Sequence, residues 1–278
     1  MSNLKTAVVA IGRRENLYAR EFVDHYKNLG FDNIFILDNN HDGEEHFEEV
    51  LEDDVNRGFV KIIDIRNETN CQMKEYTNMY AQYGKEYDWI AFFDFDEFLI
   101  LPHFNDIHDY LDKFPTDCQC VLINWLCMTD NNLVHYDDRP LMKRFTVPMP
   151  LDRCVQYNFP DNCHVKSIIR GGLDIRFGGN PHTTDTALQA YNASGVKTEN
   201  RPWQPMDYRI AFLKHFTTKT IEEWMTRKMQ VGTPDRNPNS FLPFYKDRFF
   251  KINEMTQPKL DYLKSIQAIS EPSEPQTA

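Results

Sequence analysis

The sequence predicts an α/β fold in which a mainly parallel sheet is flanked by helices. One observation is that short apolar segments alternate with segments of helical periodicity through the first hundred residues. Another is that each of the three helical patterns ends at a glycine, namely Gly30, Gly58 and Gly84. Strands that alternate with helices of this length form right-handed βαβ crossovers, and the strands are therefore expected to run parallel.

The first half of the chain contains four predicted strands and three predicted helices. The strands are apolar and cover residues 6–11, 33–37, 59–65 and 89–93. The helices place apolar side chains on one face, namely Tyr18, Phe22, Tyr26 and Leu29, then Phe47, Val50, Leu51 and Val55, then Met73, Tyr76, Tyr80 and Tyr83. Ligands of such sheets bind at the carboxyl ends of the strands, where the candidate site is expected.

The second half has a less regular pattern. A helix around residues 107–114 and a strand at residues 120–127 precede shorter strand-like segments among many Pro, Gly and Asn residues. These segments cover residues 142–147, 165–170 and 210–216. We expect this mixed region to pack on the first half within a single domain, residues 1–269, and we expect residues 270–278 to be disordered.

Composition restricts the function classes. The net charge of −11 argues against a nucleic-acid partner, because such proteins concentrate basic residues on one face. The sequence has neither a secretion signal nor an apolar run of the roughly 18 residues that a membrane span needs, so a soluble, cytoplasmic protein is expected. Free thiols are favoured over a structural zinc site for the cysteines, which are Cys71, Cys118, Cys120, Cys127, Cys154 and Cys163.

Three carboxylates follow the fourth predicted strand within four residues. They belong to Asp94, Asp96 and Glu97. Crowded carboxylates are costly unless a cation neutralises them, and hard divalent cations prefer oxygen ligands. An acidic, solvated loop is the alternative, but the position at a strand end favours a site for Mn²⁺ or Mg²⁺.

Loops after the first two strands are expected at the same edge of the sheet. Gly12, Arg13 and Glu15 follow the first strand, where backbone and Arg donors could approach a nucleotide or its phosphates. Asp38 follows the second strand and could accept hydrogen bonds from a base or ribose, although ordinary turn chemistry explains it equally well. Neither the dinucleotide-binding glycine motif nor the P-loop motif occurs.

Several segments together carry a family resemblance. The main segments are residues 15–26, 30–32 and 36–39 and the Asp-Phe-Asp-Glu-Phe sequence at residues 94–98. Through them the chain resembles the family-2-like glycosyltransferases related to glycosyltransferase family 92. Further similar segments are residues 123–125, 165–168, 181–182 and 214–220. The resemblance covers residues 6–228. It departs after Trp125, at residues 126–132, where sugar or acceptor specificity is expected to differ.

The resemblance implies a GT-A-type, Rossmann-like fold with a nucleotide-sugar-binding half, residues 1–117, and an acceptor-side half with C-terminal helices, residues 118–269. It implies binding of a nucleotide sugar, a UDP-sugar, by Gly12, Arg13, Glu15, Asp38, Lys74, Asp94, Phe95 and Asp96. The acceptor or sugar pocket would contain Glu97, Trp125, Lys166 and His182. His215 lies at a strand-to-helix junction and matches a family position, and the resemblance implies that it joins Asp94 and Asp96 as a metal ligand. The local sequence alone instead favours a histidine that packs within the strand.

An inverting transfer needs a base. Asp185, just beyond Pro181 and His182, is the first candidate for removing the acceptor hydroxyl proton, and Asp130 is the second. The alternative is that Asp185 only begins a turn or helix. His182 could likewise be a surface turn residue. A capping box, in which the hydroxyl of Thr220 and the carboxylate of Glu223 bond to each other's backbone N–H groups, is predicted to begin the helix after His215.

The expected function is that of a metal-dependent hexosyltransferase which moves a sugar to a glycan or lipid-linked oligosaccharide in surface polysaccharide biosynthesis. Peripheral membrane contact stays open, although no strong basic amphipathic segment supports it. One alternative is a metal-dependent phosphohydrolase, because a strand that ends in Asp-x-Asp also presents a nucleophile and an acid in haloacid-dehalogenase-type enzymes. The other is a non-catalytic nucleotide- or glycan-binding module.

Overall fold

The computed structural model describes residues 4–150, 161–231 and 248–266. Within these ranges one sheet contains ten strands. They are β1 (Thr6–Gly12), β2 (Asn33–Asp38), β3 (Val60–Asp64), β4 (Trp89–Phe92), β5 (Glu97–Ile100), β6 (Cys120–Cys127), β7 (Val165–Arg170), β8 (Ala190–Asn192), β9 (Lys197–Thr198) and β10 (Phe212–His215). Eight strands lie in the order β3-β2-β1-β4-β7-β6-β10-β5, while β8 pairs with β6 and β9 pairs with β8.

The helices lie between the strands in the first half and become short in the second. They are α1 (Asn16–Asn28), α2 (Glu48–Asn56), α3 (Gln72–Tyr83), α4 (Ile107–Leu111), α5 (Leu141–Arg144), α6 (residues 221–231) and α7 (Gln257–Ser265). Helix α6 begins at Ile221–Glu223, widens into a π-helical turn at Trp224–Lys228 and continues as α-helix at Met229–Val231.

Strands β3, β2, β1 and β4 are neighbours and run parallel. The predicted α/β architecture with a mainly parallel, helix-flanked sheet is therefore confirmed. The glycines that end the first two helices, Gly30 and Gly58, have φ angles of +85° and +75°, a left-handed conformation that glycine adopts without steric cost. The parallel arrangement brings the carboxyl ends of β1, β2 and β4 to one edge of the sheet.

The second half forms the expected mixed region. Strand β7 is antiparallel to both β4 and β6, and β10 is parallel to β6. Strand β5 is antiparallel to β10, with His215 opposite Glu97. The sequence did not predict β5, because its residues were interpreted as part of the carboxylate motif. Strands β8 and β9 were also missed, since each has at most three residues.

The predicted strand at residues 142–147 is wrong. Residues Leu141–Arg144 form helix α5, which Pro140 precedes. The buried side chains Leu141, Arg144 and Phe145 are spaced three and four residues apart, which is a helical period. Arg144 is drawn into the interior by two hydrogen bonds to the carboxylate of Glu223, at 2.9 and 3.0 Å.

Apolar side chains pack on both faces of the sheet, and alternate residues of one strand point to opposite faces. Val8 and Ala10 belong to one core cluster, whereas Ala7 and Val9 belong to the other. The first cluster also contains Phe216, so residues from both halves of the chain share it.

The described cysteines, Cys71, Cys118, Cys120, Cys127 and Cys163, are free thiols. The prediction for Cys154 and the predicted tail at residues 270–278 lie outside the described residues. No helix in the described ranges is long and apolar enough to span a membrane.

Candidate functional site

The carboxylate motif lies between β4 and β5, at the edge of the sheet where the parallel strands end. The pairing of β5 with β10 brings His215 to this motif. The backbone N–H of Phe216 donates to the carbonyl oxygen of Asp96 at 2.8 Å. Nε2 of His215 then lies 3.6 Å from Oδ1 of Asp96, and both side chains are buried. The backbone ladder therefore places an imidazole and a carboxylate together.

His215 is a neutral imidazole in this environment. Burial lowers its pKa to about 3. Its ring packs against that of Trp125, with the ring centroids 4.1 Å apart. Among the described residues, Nδ1 of His215 and Nε1 of Trp125 are buried without hydrogen-bond partners. A neutral imidazole beside a carboxylate is a suitable donor pair for a divalent metal.

Lys219 supplies a positive charge to the same carboxylate. Its Nζ lies 3.5 Å from Oδ2 of Asp96 and 4.5 Å from the centre of the Tyr18 ring. Burial acts to raise the pKa of Asp96, but Lys219, together with His215, Lys228 and Lys166, outweighs it and holds the pKa well below its usual range. The φ angle of Lys219 is +54°, a conformation that side-chain-bearing residues adopt at a cost. The surrounding contacts hold Lys219 in this position.

A cationic pocket opens beside Lys219. The cationic side chains that line it, among the described residues, are Arg13, Arg14, Lys219, Arg227 and Lys228. Two of them are paired with acidic residues of the loop after β2: Arg13 donates two hydrogen bonds of 2.8 Å to Glu44, and Arg227 lies 3.2 Å from Glu45. The pocket presents both cations and hydrogen-bond donors, as an anionic ligand requires.

Glu15 lies on the wall of this pocket. Burial raises its pKa, and its Oε2 atom is buried with no hydrogen-bond partner in the described part of the chain. Such an oxygen is available to a ligand that donates a hydrogen bond.

Lys166 holds the other carboxylates of the motif. Its ammonium group is fully buried and lies 2.8 Å from Oδ2 of Asp94 and 3.7 Å from Oε2 of Glu97. Tyr76 and Gln72 each donate to Oδ1 of Asp94 at 3.3 Å. Burial raises the pKa of Glu97 well above its usual range. This network fixes the geometry of Asp94 and Glu97 from β7 and α3.

The structure brings two of the three predicted metal ligands together. Asp96 faces His215, whereas Asp94 faces Lys166. A different group has the spacing of a metal site. Asp38, His46 and Glu48 each offer a ligand atom, and these three atoms lie within 4.8 Å of one another; residues 4–150, 161–231 and 248–266 contain no other such group of three. A metal at Asp96 and His215 would have open positions, which suits ions that are also bound by substrate phosphates.

The loops after β1 and β2 occupy the expected edge of the sheet. Asp38 is buried, and its carboxylate accepts hydrogen bonds from Arg66 at 2.8 Å and from the side chain of Asn40 at 2.7 Å. A Cβ atom on Gly12 would lie 2.6 Å from the ring of Phe95, so only glycine fits there. Phe95 stacks on Phe47 within the core and is itself 2% exposed.

Three other predicted site residues are placed in different surroundings. Lys74 lies on the surface, 3.0 Å from Glu75. Asp130 is buried 2.5 Å from Lys259 of α7, an arrangement typical of a structural ion pair. Asp185 lies in the loop between β7 and β8, where its carboxylate accepts a 3.0 Å hydrogen bond from the backbone of Gly179 and is 42% exposed.

Trp125 and His182 lie together, with ring centroids 5.0 Å apart. Trp125 also contacts His215, so the predicted acceptor residues adjoin the carboxylate motif. Sequence reasoning placed Lys219 in the family-like segment 214–220 without giving it a role, and it missed His164 and Trp203, which extend this aromatic group. A buried lysine or histidine has the same sequence signal as an exposed one.

Comparisons with known proteins place this geometry in a family context. The model of glycosyltransferase family 92 matches residues 10–171. No curated protein matches the sequence. Among solved structures, S. aureus TarS 1–349 is 12% identical with a TM-score of 0.42, over 89% of this chain and 72% of that chain.

Two further solved structures are similar to the chain. TarS 1–349 in complex with UDP-GlcNAc is 11% identical with a TM-score of 0.42, over 96% of this chain and 82% of that chain. Galactosyltransferase LgtC in complex with donor and acceptor sugar analogues is 14% identical with a TM-score of 0.26, over 42% of this chain and 46% of that chain. Similarity of this degree says nothing about what this chain binds.

Proposed function

The chain belongs to glycosyltransferase family 92, and from this membership we propose that it transfers a sugar from a UDP-sugar to a glycan or lipid-linked oligosaccharide acceptor. The observation that carries the proposal is the position of Asp96. Its carboxylate faces the neutral imidazole of His215 on one side and the ammonium group of Lys219, in the wall of the cationic pocket, on the other. Family membership favours this function over the phosphohydrolase.

The nucleotide sugar binds across the carboxyl edge of the sheet. Its diphosphate lies in the cationic pocket, where Arg13, Arg14 and Lys219 supply charge and hydrogen-bond donors. The ribose or base lies near Asp38, which already accepts a hydrogen bond from Arg66 and retains acceptor capacity. Lys166 holds one carboxylate oxygen of Asp94 with a 2.8 Å hydrogen bond at this edge.

The proposed metal is Mn²⁺ or Mg²⁺, held by Asp96 and His215 with Asp94 as the third ligand. When bound, the ion offsets negative charge on the departing diphosphate. Lys219 contributes a second positive charge near the same oxygen atoms, and its fixed position avoids reorganisation during the reaction. The neutral state of His215 leaves an imidazole lone pair available for the ion.

The proposed base for an inverting transfer is Asp185, with Asp130 second. Asp185 is accessible to an acceptor because its side chain is 42% exposed, whereas Asp130 is buried beside Lys259. General-base catalysis typically contributes about 10²- to 10⁴-fold, so Asp185→Asn should lower transfer by that factor and leave UDP affinity unchanged. Unchanged transfer would exclude Asp185.

The cellular role that we propose is cytoplasmic synthesis of a surface polysaccharide, with peripheral membrane contact where the acceptor is lipid-linked. A nucleic-acid partner is not part of this proposal, since the chain carries a net charge of −11.

Thermal unfolding with a panel of nucleotide sugars tests the donor class. A ligand that binds the native state alone raises the free energy of unfolding by mass action, by about 2.7 kcal/mol at a hundredfold excess over Kd, and the midpoint temperature rises with it. We expect UDP-sugars with Mn²⁺ to raise the midpoint more than the same sugars with a chelator, and more than GDP- or CMP-sugars. Equal midpoints with and without every UDP-sugar would contradict the proposal.

A further inference from the structure

A row of aromatic rings runs from the surface to the carboxylate motif. The rings of Trp203 and His164 have centroids 5.9 Å apart, those of His164 and Trp125 are 5.1 Å apart, and those of Trp125 and His215 are 4.1 Å apart. His182 stacks on His164 at 5.2 Å. Trp125 and His215 are buried, the other two histidines are half-buried, and Trp203 is 48% exposed. The row therefore leads outward from Asp96.

The outermost ring is held in place at its polar edge. Nε1 of Trp203 donates a 2.7 Å hydrogen bond to Nε2 of His164. This bond requires His164 to be neutral, and burial lowers the pKa of His164 accordingly. The backbone of Trp203 forms an isolated β-bridge with that of His164, and the N–H of Val165 donates to the carbonyl oxygen of Pro202 at 3.1 Å. Trp203 is thus tied to the start of β7, two residues before Lys166.

The surroundings of Trp203 combine an apolar face with polar neighbours. Trp203 lines an open groove with Thr198, Glu199, Arg201 and Gln204. Thr198 donates to Gln204 at 2.8 Å, and the guanidinium of Arg201 is paired with the carboxylate of Glu199. A pyranose ring matches this surface, because it has a face of C–H groups and a rim of hydroxyls.

We propose that Trp203 is the stacking platform of an outer acceptor subsite, which binds a neutral pyranose unit of an extended glycan. This inference rests on the proposed function, since the row of rings gives the subsite its direction toward Asp96. Three ring-to-ring contacts separate Trp203 from His215. A sugar ring is about as large as one such ring, so an acceptor that reaches both places is an oligosaccharide rather than a monosaccharide.

The charge of the groove favours a neutral occupant over an anionic one. Both arginines of the two adjoining grooves are paired: Arg201 with Glu199, and Arg209 with both carboxylate oxygens of Asp207 at 3.0 and 2.8 Å. Lys197 lines both grooves and is their one cationic side chain without an ion pair among the described residues. An anionic lipid or phosphate site would instead direct unshared guanidinium groups at its ligand.

Direct binding tests the subsite without knowledge of the natural acceptor. The probe is a glycan array that carries neutral oligosaccharides of glucose, galactose, mannose and N-acetylglucosamine together with sulfated and sialylated glycans. Wild-type chain is compared with Trp203→Ala, Trp203→Phe and the control Met255→Ala, which removes a side chain that is 58% exposed elsewhere. Affinity of each variant for UDP with Mn²⁺ is measured by calorimetry, and folding by circular dichroism.

The expected result is that wild type binds at least one neutral oligosaccharide and that Trp203→Ala weakens this binding by at least about tenfold, the size of loss typical of a tryptophan anchor. Trp203→Phe should fall between them, because it keeps a ring but loses the bond to His164. Met255→Ala should bind as wild type does, and all variants should bind UDP equally.

Three results would overturn the subsite: no neutral glycan binds to wild type, Trp203→Ala binds neutral glycans as wild type does, or the variant loses binding to the sulfated and sialylated glycans instead. Failure of the proposed function has a different signature. In that case wild type does not bind UDP, whereas glycan binding still depends on Trp203.

Discussion

Nε2 of His215 lies 3.6 Å from Oδ1 of Asp96, although the two residues are far apart in the sequence. Strand β5 explains this proximity. It follows the carboxylate motif directly and pairs with β10, which sets His215 opposite Glu97. A residue far along the chain thereby joins the site that begins after β4.

Removal of the Asp96 carboxylate should abolish activity without unfolding the protein. Asp96→Asn keeps the size of the side chain but removes the charge that faces His215 and Lys219. We expect transfer to fall by at least about 100-fold, since electrostatic groups of this kind contribute that much. The measurement is the rate of UDP release with Mn²⁺. A variant with wild-type turnover, or a wild type that is fully active in excess chelator, would defeat the metal hypothesis.

Removal of the imidazole tests the ligand role of His215. His215→Ala should weaken Mn²⁺ binding in the presence of UDP by about 10- to 100-fold, on the scale of losses found when a metal site is impaired. The matched control is His25→Ala. His25 is also neutral, because burial lowers its pKa to about 4, but it bonds to the carbonyl oxygen of Leu99. Equal Mn²⁺ affinity of folded His215→Ala and wild type would return His215 to a packing role.

Lys166 should matter for stability as well as for activity. Lys166→Met leaves the carboxylates of Asp94 and Glu97 without their buried cation. Loss of one partner from a buried ion pair costs about 3–5 kcal/mol of unfolding free energy. Addition of Glu97→Gln should change this loss little, because burial raises the pKa of Glu97 well above its usual range and leaves Asp94 as the uncompensated charge. Urea unfolding measures the free energy of unfolding of the single and the double variant. If Lys166→Met alone is as stable as wild type, the role of Lys166 is contradicted.

The capping box of α6 allows a matched stability test. The hydroxyl of Thr220 accepts from the backbone N–H of Glu223 at 3.1 Å and donates to its carboxylate at 2.7 Å. Thr220→Ala should lower the unfolding free energy by about 1 kcal/mol. Thr226→Ala is the control, since Thr226 is exposed in the same helix and its hydroxyl donates to the carbonyl oxygen of Glu222, which caps no helix end. Equal losses in the two variants would show that the cap contributes nothing.

The Glu44 and Arg13 pair predicts a pH dependence. The hydrogen bonds from Arg13 lower the pKa of Glu44 from 4.5 to about 2. Because the folded pKa is depressed, the pair stabilises the fold above pH 4.5, and the effect is lost as the pH falls toward 2. Glu44→Gln should therefore be less stable than wild type at pH 7 by up to about 1 kcal/mol, and equally stable near pH 2. A difference that grows on acidification would contradict this assignment.

The sequence was most informative where local signals agreed. Strands β1, β2 and β4 and helices α1 and α3 were predicted to within about two residues, because strong periodicity coincided with glycine at the helix ends. The capping box at Thr220 was confirmed for the same reason, since its two side chains are three residues apart. These features depend on residues that are close in sequence.

Features that depend on distant residues were not visible in the sequence. Arg144 is buried because Glu223, far along the chain, pairs with it, and nothing near Arg144 in the sequence indicates this partner. Nothing near Lys166 or Lys219 indicates that each lysine is buried against a carboxylate. The proposed roles of Asp94, Asp96, His215 and Asp185 stay predictions, since they concern ligands that only an experiment can supply.

The most direct test of the account is product formation. The protein is incubated with Mn²⁺, a panel of UDP-sugars and a panel of neutral oligosaccharides, and products are identified by mass spectrometry while UDP is quantified. The account predicts an oligosaccharide that has gained one sugar, in a one-to-one ratio with UDP, and no product in the presence of a chelator. Release of inorganic phosphate from the UDP-sugars, or tight binding of them without any product, would contradict it.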